Sequence, residues 1–162
     1  MAGDPQPLRV WHTTVPSEWT DYNRHMSEGW YAIAFCDATD AVLLQFGFDP
    51  GYRAEHGTFY TLETRIRYLQ EVPEGATIHT ASWVLGADAK RIHLLHELSV
   101  GDDAAVVATQ EAMLLHVAHG DDGVPAAAPM VEPVLGAATA QAEAHAGLPL
   151  PDHVGQGSRV LR

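Results

Sequence analysis

Asp21-Tyr22-Asn23-Arg24-His25-Met26 sets a carboxylate, an amide and an imidazole within a few positions, directly ahead of a long apolar segment. A carboxylate at the mouth of a helix lies beside N–H groups that carry partial positive charge. It could direct attack on a carbonyl whose developing oxyanion those N–H groups receive. The same residue types also suit an Asx-type turn that does no more than cap the helix. Pattern alone leaves both readings open, so the surrounding elements must decide what the cluster can do.

Those elements follow a clear order. Residues 8–15 alternate weakly and read as a strand, and 16–26 as a loop. From Ser27 to about Phe46 the spacing predicts a helix, with Ser27 as N-cap, Glu28 complementing the dipole and Gly47 as the stop. Trp30, Tyr31, Ile33, Phe35, Val42, Leu43, Leu44 and Phe46 leave this helix apolar on most sides, which predicts burial. Segments of β type follow at 58–69, 77–85, 91–100 and 104–117, separated by Pro73-Glu74-Gly75, Gly86-Ala87-Asp88 and Gly101-Asp102-Asp103. In the first of these, Tyr60, Leu62, Ile66 and Tyr68 are expected on one side and Thr61, Glu63, Arg65 and Arg67 on the other. A short helix is expected at about 136–146, followed by a tail to Arg162. The expected class is therefore α+β, one long helix wrapped by a five-stranded antiparallel sheet, as a single domain over 1–162 with its core at about 8–118.

Composition narrows the function. With 46% hydrophobic and 19% charged residues, the 162-residue chain can bury a core without staples. Its single cysteine, Cys36, allows no internal disulfide, and the first residues lack the basic and apolar stretches of a secretory signal, so a cytoplasmic setting is expected. No apolar stretch is long enough to span a bilayer. A net charge of −12 with one lysine, Lys90, argues against nucleic-acid binding. The scarce basic residues Arg65, Arg67, Lys90 and Arg91 are then the candidates for neutralising an anionic nucleotide, although any one of them could simply pair with a surface carboxylate. No metal site is expected, because the ten histidines are scattered and His93 and His96 would point to opposite faces of a strand.

The stretch from Trp19 to Met26 resembles the loop of the 4-hydroxybenzoyl-CoA thioesterase-like hotdog enzymes. Their pattern runs Asp, two residues, Gly, His, an aliphatic residue and usually Asn. Asp21 and His25 match it, whereas Arg24 stands in place of Gly and Ser27 in place of Asn. Asp37-Ala38-Thr39-Asp40-Ala41, Leu62 to Leu69, Leu85 to His93 and Met113 to Val117 are similar to a narrower branch, the thioesterase beside or fused to carnitine dehydrogenase that is associated with betainyl-CoA in carnitine breakdown. The resemblance covers about Val15 to Val117.

What the resemblance implies is a hotdog fold and thioester hydrolysis of a short polar acyl-CoA, with CoA as part of the substrate and no other cofactor. Asp21 becomes the general base or the nucleophile. His25 orients the loop or is merely structural, and Asn23 holds Asp21 or forms the turn. Backbone N–H groups at Met26 and Ser27 would receive the oxyanion, at about 3 kcal/mol per well-placed donor. For a trimethylammonium acyl group, ring faces at Trp30, Tyr31, Phe59, Tyr60 and Trp83 are candidates, with Glu63 as the countercharge. Open sheet edges imply a homodimer or a dimer of dimers, with sites between subunits. Two alternatives remain. One is a hotdog enoyl-CoA hydratase, although its motif has a proline and one more residue between Asp and His; the other is a hotdog binding module without activity.

Overall fold

The computed structural model of the chain describes residues 4–157; residues 1–3 and 158–162, and with them the end of the expected tail, lie outside the described residues. Its long helix α1 spans Glu28–Gln45. Ser27 is at the N-cap position in extended backbone, yet its side chain makes no capping hydrogen bond. Gly47 ends the run at φ +93°, where a Cβ would come within 2.4 Å of the Pro133 ring. No side chain fits there, and the left-handed φ that glycine adopts ends the helical run.

One antiparallel sheet curls around α1 in the order β1 (His12–Thr14), β3 (Thr77–Ala87), β4 (Arg91–Val100), β5 (Val106–His119), β2 (Thr58–Tyr68). This is the hotdog arrangement, and it bears out the α+β expectation. A sixth strand, β6 (Pro125–Ala127), was not expected; it pairs with β5 at Val117–His119, beyond the point where β4 leaves off. The first strand is shorter than expected; outside β1 the segment pairs through a bridge from Leu8 to Ser82 and through Val15, whose N–H donates to the Ala76 carbonyl at 2.9 Å.

Helix α2 (Pro50–His56) was also not foreseen, although its signal is legible. Asp49 accepts a hydrogen bond from the Tyr52 N–H at 2.8 Å, and proline occupies the first turn, as helix starts favour. The short C-terminal helix, α3 (Val134–His145), lies against β3. There the Val84 N–H donates to His145 Nδ1 at 2.9 Å, so α3 satisfies a sheet donor beyond the end of β1.

Burial of α1 is one-sided. Tyr31, Ala34, Phe35, Ala38, Val42 and Leu43 are buried against the sheet. Ile33 and Leu44 remain 44% and 56% exposed, which corrects the expectation of a helix wrapped all round. The alternation expected for β2 also breaks. A bulge lies between Thr61 and Glu63, with Tyr60 opposite Leu115 and Glu63 opposite Met113. Cross-strand partners share a face, so Tyr60, Glu63 and Arg65 point away from α1 while Ile66 and Tyr68 point toward it. The two sides of the sheet therefore carry different chemistry.

Candidate active site

The stretch from Thr20 to Met26 is a small hairpin closed by an antiparallel bridge between those two residues. The Arg24 N–H donates to the Asp21 carbonyl at 2.9 Å, and the Asp21 N–H donates to the His25 carbonyl at 3.2 Å. Within the turn, Asp21 Oδ1 accepts from the Asn23 N–H at 2.8 Å. Asn23 thus meets Asp21 through its backbone, in the Asx manner. Arg24 has φ +62°, the left-handed region, and is the only non-glycine residue with positive φ among the described residues. A hairpin that follows a tight turn with a left-handed residue normally uses glycine there, so Arg24 carries the conformation without the usual residue.

Long-range hydrogen bonds seat this hairpin on the helix mouth. The Met26 N–H donates to the Val72 carbonyl at 2.7 Å and the Ser27 N–H to the Trp19 carbonyl at 2.9 Å. Both expected oxyanion donors are therefore engaged, which corrects that expectation. The next two N–H groups, of Glu28 and Gly29, have no acceptor among the described residues, as the first turn of a helix leaves them. They are the donors that the mouth presents.

His25 lies 3.4 Å from Glu71, a carboxylate just past β2, and bridges to Pro73. It ties the hairpin to the β2–β3 connection. Trp30 stacks on Trp19, with centroids 5.0 Å apart and planes at 11°, so it packs the loop onto the helix. Tyr31 is buried and meets Tyr68 edge to face at 5.1 Å. Together with His25, Met26, Glu28, Leu69, Gln70 and Glu71 these two tyrosines line an open depression of about 510 Å³ beside the helix mouth.

Phe59 lies elsewhere. It lines a groove of about 560 Å³ between α1 and β2, with Cys36, Asp40, Arg53 and Gln110. The Gln110 Oε1 is buried there without a partner among the described residues. Burial, reinforced by neighbouring Asp37, pushes the Asp40 carboxyl above its usual range. At the floor of α1, His96 is fully buried and bonded at both nitrogens, to Thr39 Oγ1 at 2.9 Å and Ser82 Oγ at 2.7 Å. This network was not legible in the sequence, because its members are far apart in the chain.

Glu63 and Arg65 sit on the sheet face turned away from α1 and line a separate cavity of about 310 Å³ with His93 and Glu111. A C-terminal strap crosses this cavity. Arg65 donates to the carbonyls of His153 and Gln156 at 2.7 and 2.6 Å, and the Gly155 N–H donates to Glu111 at 3.0 Å. Its guanidinium is thus engaged within the chain. Arg67 faces the same side near His153, whose imidazole is pushed down by burial and by both arginines. Tyr60 is also on that face, and Trp83 packs against His145. Within one chain, then, Glu63 and the helix mouth are on opposite faces of the sheet. Lys90 and Arg91 are exposed at the β3–β4 turn, where Arg91 donates through Nε and Nη2 to the same Asp88 Oδ2 at 2.8 and 2.6 Å. The Asp88 carboxyl is pulled down chiefly by that bond.

Comparison with known proteins accords with the fold. A family model described as the thioesterase-like superfamily matches residues 15–154. The betainyl-CoA thioesterase of Pseudomonas aeruginosa is 40% identical over 93% of this chain and 94% of its own. The L-carnitine dehydrogenase/betainyl-CoA thioesterase of Agrobacterium fabrum is 42% identical over 96% of this chain, which spans only 31% of that longer protein. Among solved structures, a Staphylococcus aureus protein in complex with CoA superposes with a TM-score of 0.83, at 23% identity over 96% of this chain and 98% of its own, and shows the same fold.

Proposed function

This chain belongs to the thioesterase-like superfamily, and from that premise we propose that it hydrolyses an acyl-CoA thioester whose acyl group is short and polar, of the betainyl type. The observation that carries the reading is the Asp21 hairpin, which is held against the start of α1 where the Glu28 and Gly29 N–H groups are unpaired. A thioester carbonyl placed against those donors would have its oxyanion stabilised as attack proceeds. Asp21 either takes a proton from attacking water or attacks the carbonyl itself to give a mixed anhydride that water then opens. In both routes the C–S bond breaks and CoA leaves as the thiol. His25 and Asn23 act on the hairpin rather than on the acyl group: one anchors it to Glu71, the other forms its turn.

The working unit in this proposal is a homodimer joined through the free edge of β2. That strand ends the sheet and exposes Tyr60, Leu62 and Tyr68 at 43%, 57% and 47%, with Ile33 and Leu44 of α1 exposed as well. An unpaired edge flanked by apolar side chains is a template for a second copy. Antiparallel pairing of two β2 strands would bring the Asp21 end of one chain toward the Lys90 and Arg91 end of the other. Of these two, Lys90 is then the better candidate for the CoA phosphates, since Arg65 is engaged by the strap and Arg91 by Asp88. No helix of the described residues is long and apolar enough to cross a membrane.

The test is thiol release from a panel of betainyl-, acetyl-, aromatic and medium-chain CoA esters by the wild type and Asp21→Asn. Asp21→Asn is expected to lose at least about 100-fold in kcat, the lower range for an acid–base group. Hydrolysis by Asp21→Asn at the wild-type rate would overturn the mechanism. Loss of enone absorbance from crotonyl-CoA without thiol release would point to hydration instead.

A further inference from the structure

The depression beside the helix mouth has a chemistry of its own. Tyr31 and Tyr68 meet edge to face with their planes at 88°, and both line the depression at the corner that they make. Glu28 and Glu71 line the same space, and its one basic group, His25, is already turned toward Glu71. Burial, then Tyr68 and Glu71, push the Tyr31 phenol up, and burial with Glu28 does the same for Tyr68. Both rings therefore remain neutral phenols with electron-rich faces. Aromatic faces at a corner with carboxylates close by attract a cation that is too large and too weakly hydrated to need hydrogen bonds. Size agrees as well, since about 510 Å³ lies in the ordinary range of small-molecule sites.

Position links this corner to the reaction. Glu28 supplies one of the free N–H groups, and Tyr31 is three residues on, one turn along the same helix face. An acyl carbonyl held by the Glu28 and Gly29 N–H groups would have its α-substituent next to Tyr31. Within one chain Glu63 has no such relation to the mouth, because it alternates with Ile66 and Tyr68 and so points to the other face of the sheet.

We infer that Tyr31, Tyr68, Glu28 and Glu71 form the seat for a quaternary-ammonium acyl group and set the preference for a cationic over a neutral acyl-CoA. This rests on the thioesterase reading above and on the name of the Pseudomonas relative, whose substrate carries such a group. It assigns the countercharge to residues beside the helix mouth in place of Glu63.

The experiment compares kcat/KM for betainyl-CoA with that for 3,3-dimethylbutyryl-CoA, the neutral isostere in which carbon replaces the ammonium nitrogen. Wild type, Glu71→Gln, Glu28→Gln, Tyr68→Leu and Glu63→Gln are measured side by side. The wild type is expected to prefer the cationic ester. Glu71→Gln, Glu28→Gln and Tyr68→Leu should each reduce the preference about tenfold, the scale of one cation–π or carboxylate contact in a partly desolvated site. Equal loss for both esters would mean that a residue only holds the fold, and that result overturns the inference. So would a wild type without preference, or a preference removed by Glu63→Gln alone. Should neither ester release thiol, the thioesterase reading falls separately. Calorimetric binding of the two non-hydrolysable thioether analogues then decides the seat: a cationic preference that Glu71→Gln removes supports it, and equal binding overturns it.

Discussion

The histidine beneath α1 should make the stability of the fold depend on pH. His96 is fully buried between Thr39 of α1 and Ser82 of β3, with Phe35 stacked at 6.1 Å, and no carboxylate contacts it. Burial without a countercharge lowers its pKa from 6.5 to about 4. In the folded protein the ring stays neutral at pH 5, whereas in the unfolded chain it is mostly protonated. The unfolded state therefore binds more protons between those two values, and stability must fall as the pH drops through that window. The linkage relation gives a loss of about 2 kcal/mol at pH 5 and about 3 kcal/mol at pH 4, with the full contribution present above the unfolded value. His116 is also pushed down by burial and contributes with the same sign, so the wild-type profile alone cannot isolate His96. His96→Gln can, because an amide can keep both hydrogen bonds but does not titrate. Urea unfolding followed by tryptophan fluorescence, at one protein concentration, should show the gap between wild type and His96→Gln shrinking by about 2 kcal/mol from pH 7 to pH 5. A gap that stays constant over that range would refute the reasoning, because the ring would then have to protonate inside the fold at ordinary cost.

Two further outcomes test other parts of the structure. Arg24→Gly should raise stability by about 0.5–1 kcal/mol, since glycine relieves the left-handed strain at φ +62° while losing more freedom on folding. A thermal midpoint that falls instead would show that the Arg24 side chain makes a contribution larger than its strain. Leu62→Glu, at the exposed bulge of β2, should weaken the dimer at least about 100-fold, from two leucines that each lose roughly 1.5 kcal/mol of burial. Light scattering on an eluting column reads this directly, and a wild type that elutes as a monomer would remove the β2 interface altogether.

The fold was largely legible because its signals are local and repeated. The run from Ser27 to Phe46 lacks interior proline and ends in glycine, and the turn clusters at 86–88 and 101–103 mark the β3–β4 and β4–β5 hairpins, whereas 73–75 lies on the connection from β2 to β3, which do not pair. What failed to show was irregularity. Bulges near Leu62 and Leu85 insert one residue each, and nothing in their side chains announces it. Yet the first of them reverses the face of half a strand, which is why Tyr60 and Tyr68 were expected together and point apart. The apolar exterior of α1 was misread for a related reason. Periodicity reports which residues avoid water, but it does not say whether the same chain or a second copy covers them.

At the site, the chemistry-bearing residue types were legible while their free valences were not. A hairpin that docks against a helix start must close its own ladder, and the residues nearest the turn do so first. Met26 and Ser27 give their N–H groups to Val72 and Trp19, carbonyls that lie 46 residues downstream and 8 upstream of their donors. Any oxyanion donors at this mouth are consequently displaced into the helix, to Glu28 and Gly29, whose intrahelical acceptors would have to lie before the helix begins. The same constraint accounts for Arg24. Closing the ladder from Thr20 to Met26 around so tight a turn requires one left-handed residue before His25, and in this chain the position falls to an arginine. Glycine at that place in the related pattern is therefore a requirement of backbone geometry rather than of catalysis, and Arg24 can satisfy it at a cost in stability while Asp21 keeps its place at the helix mouth.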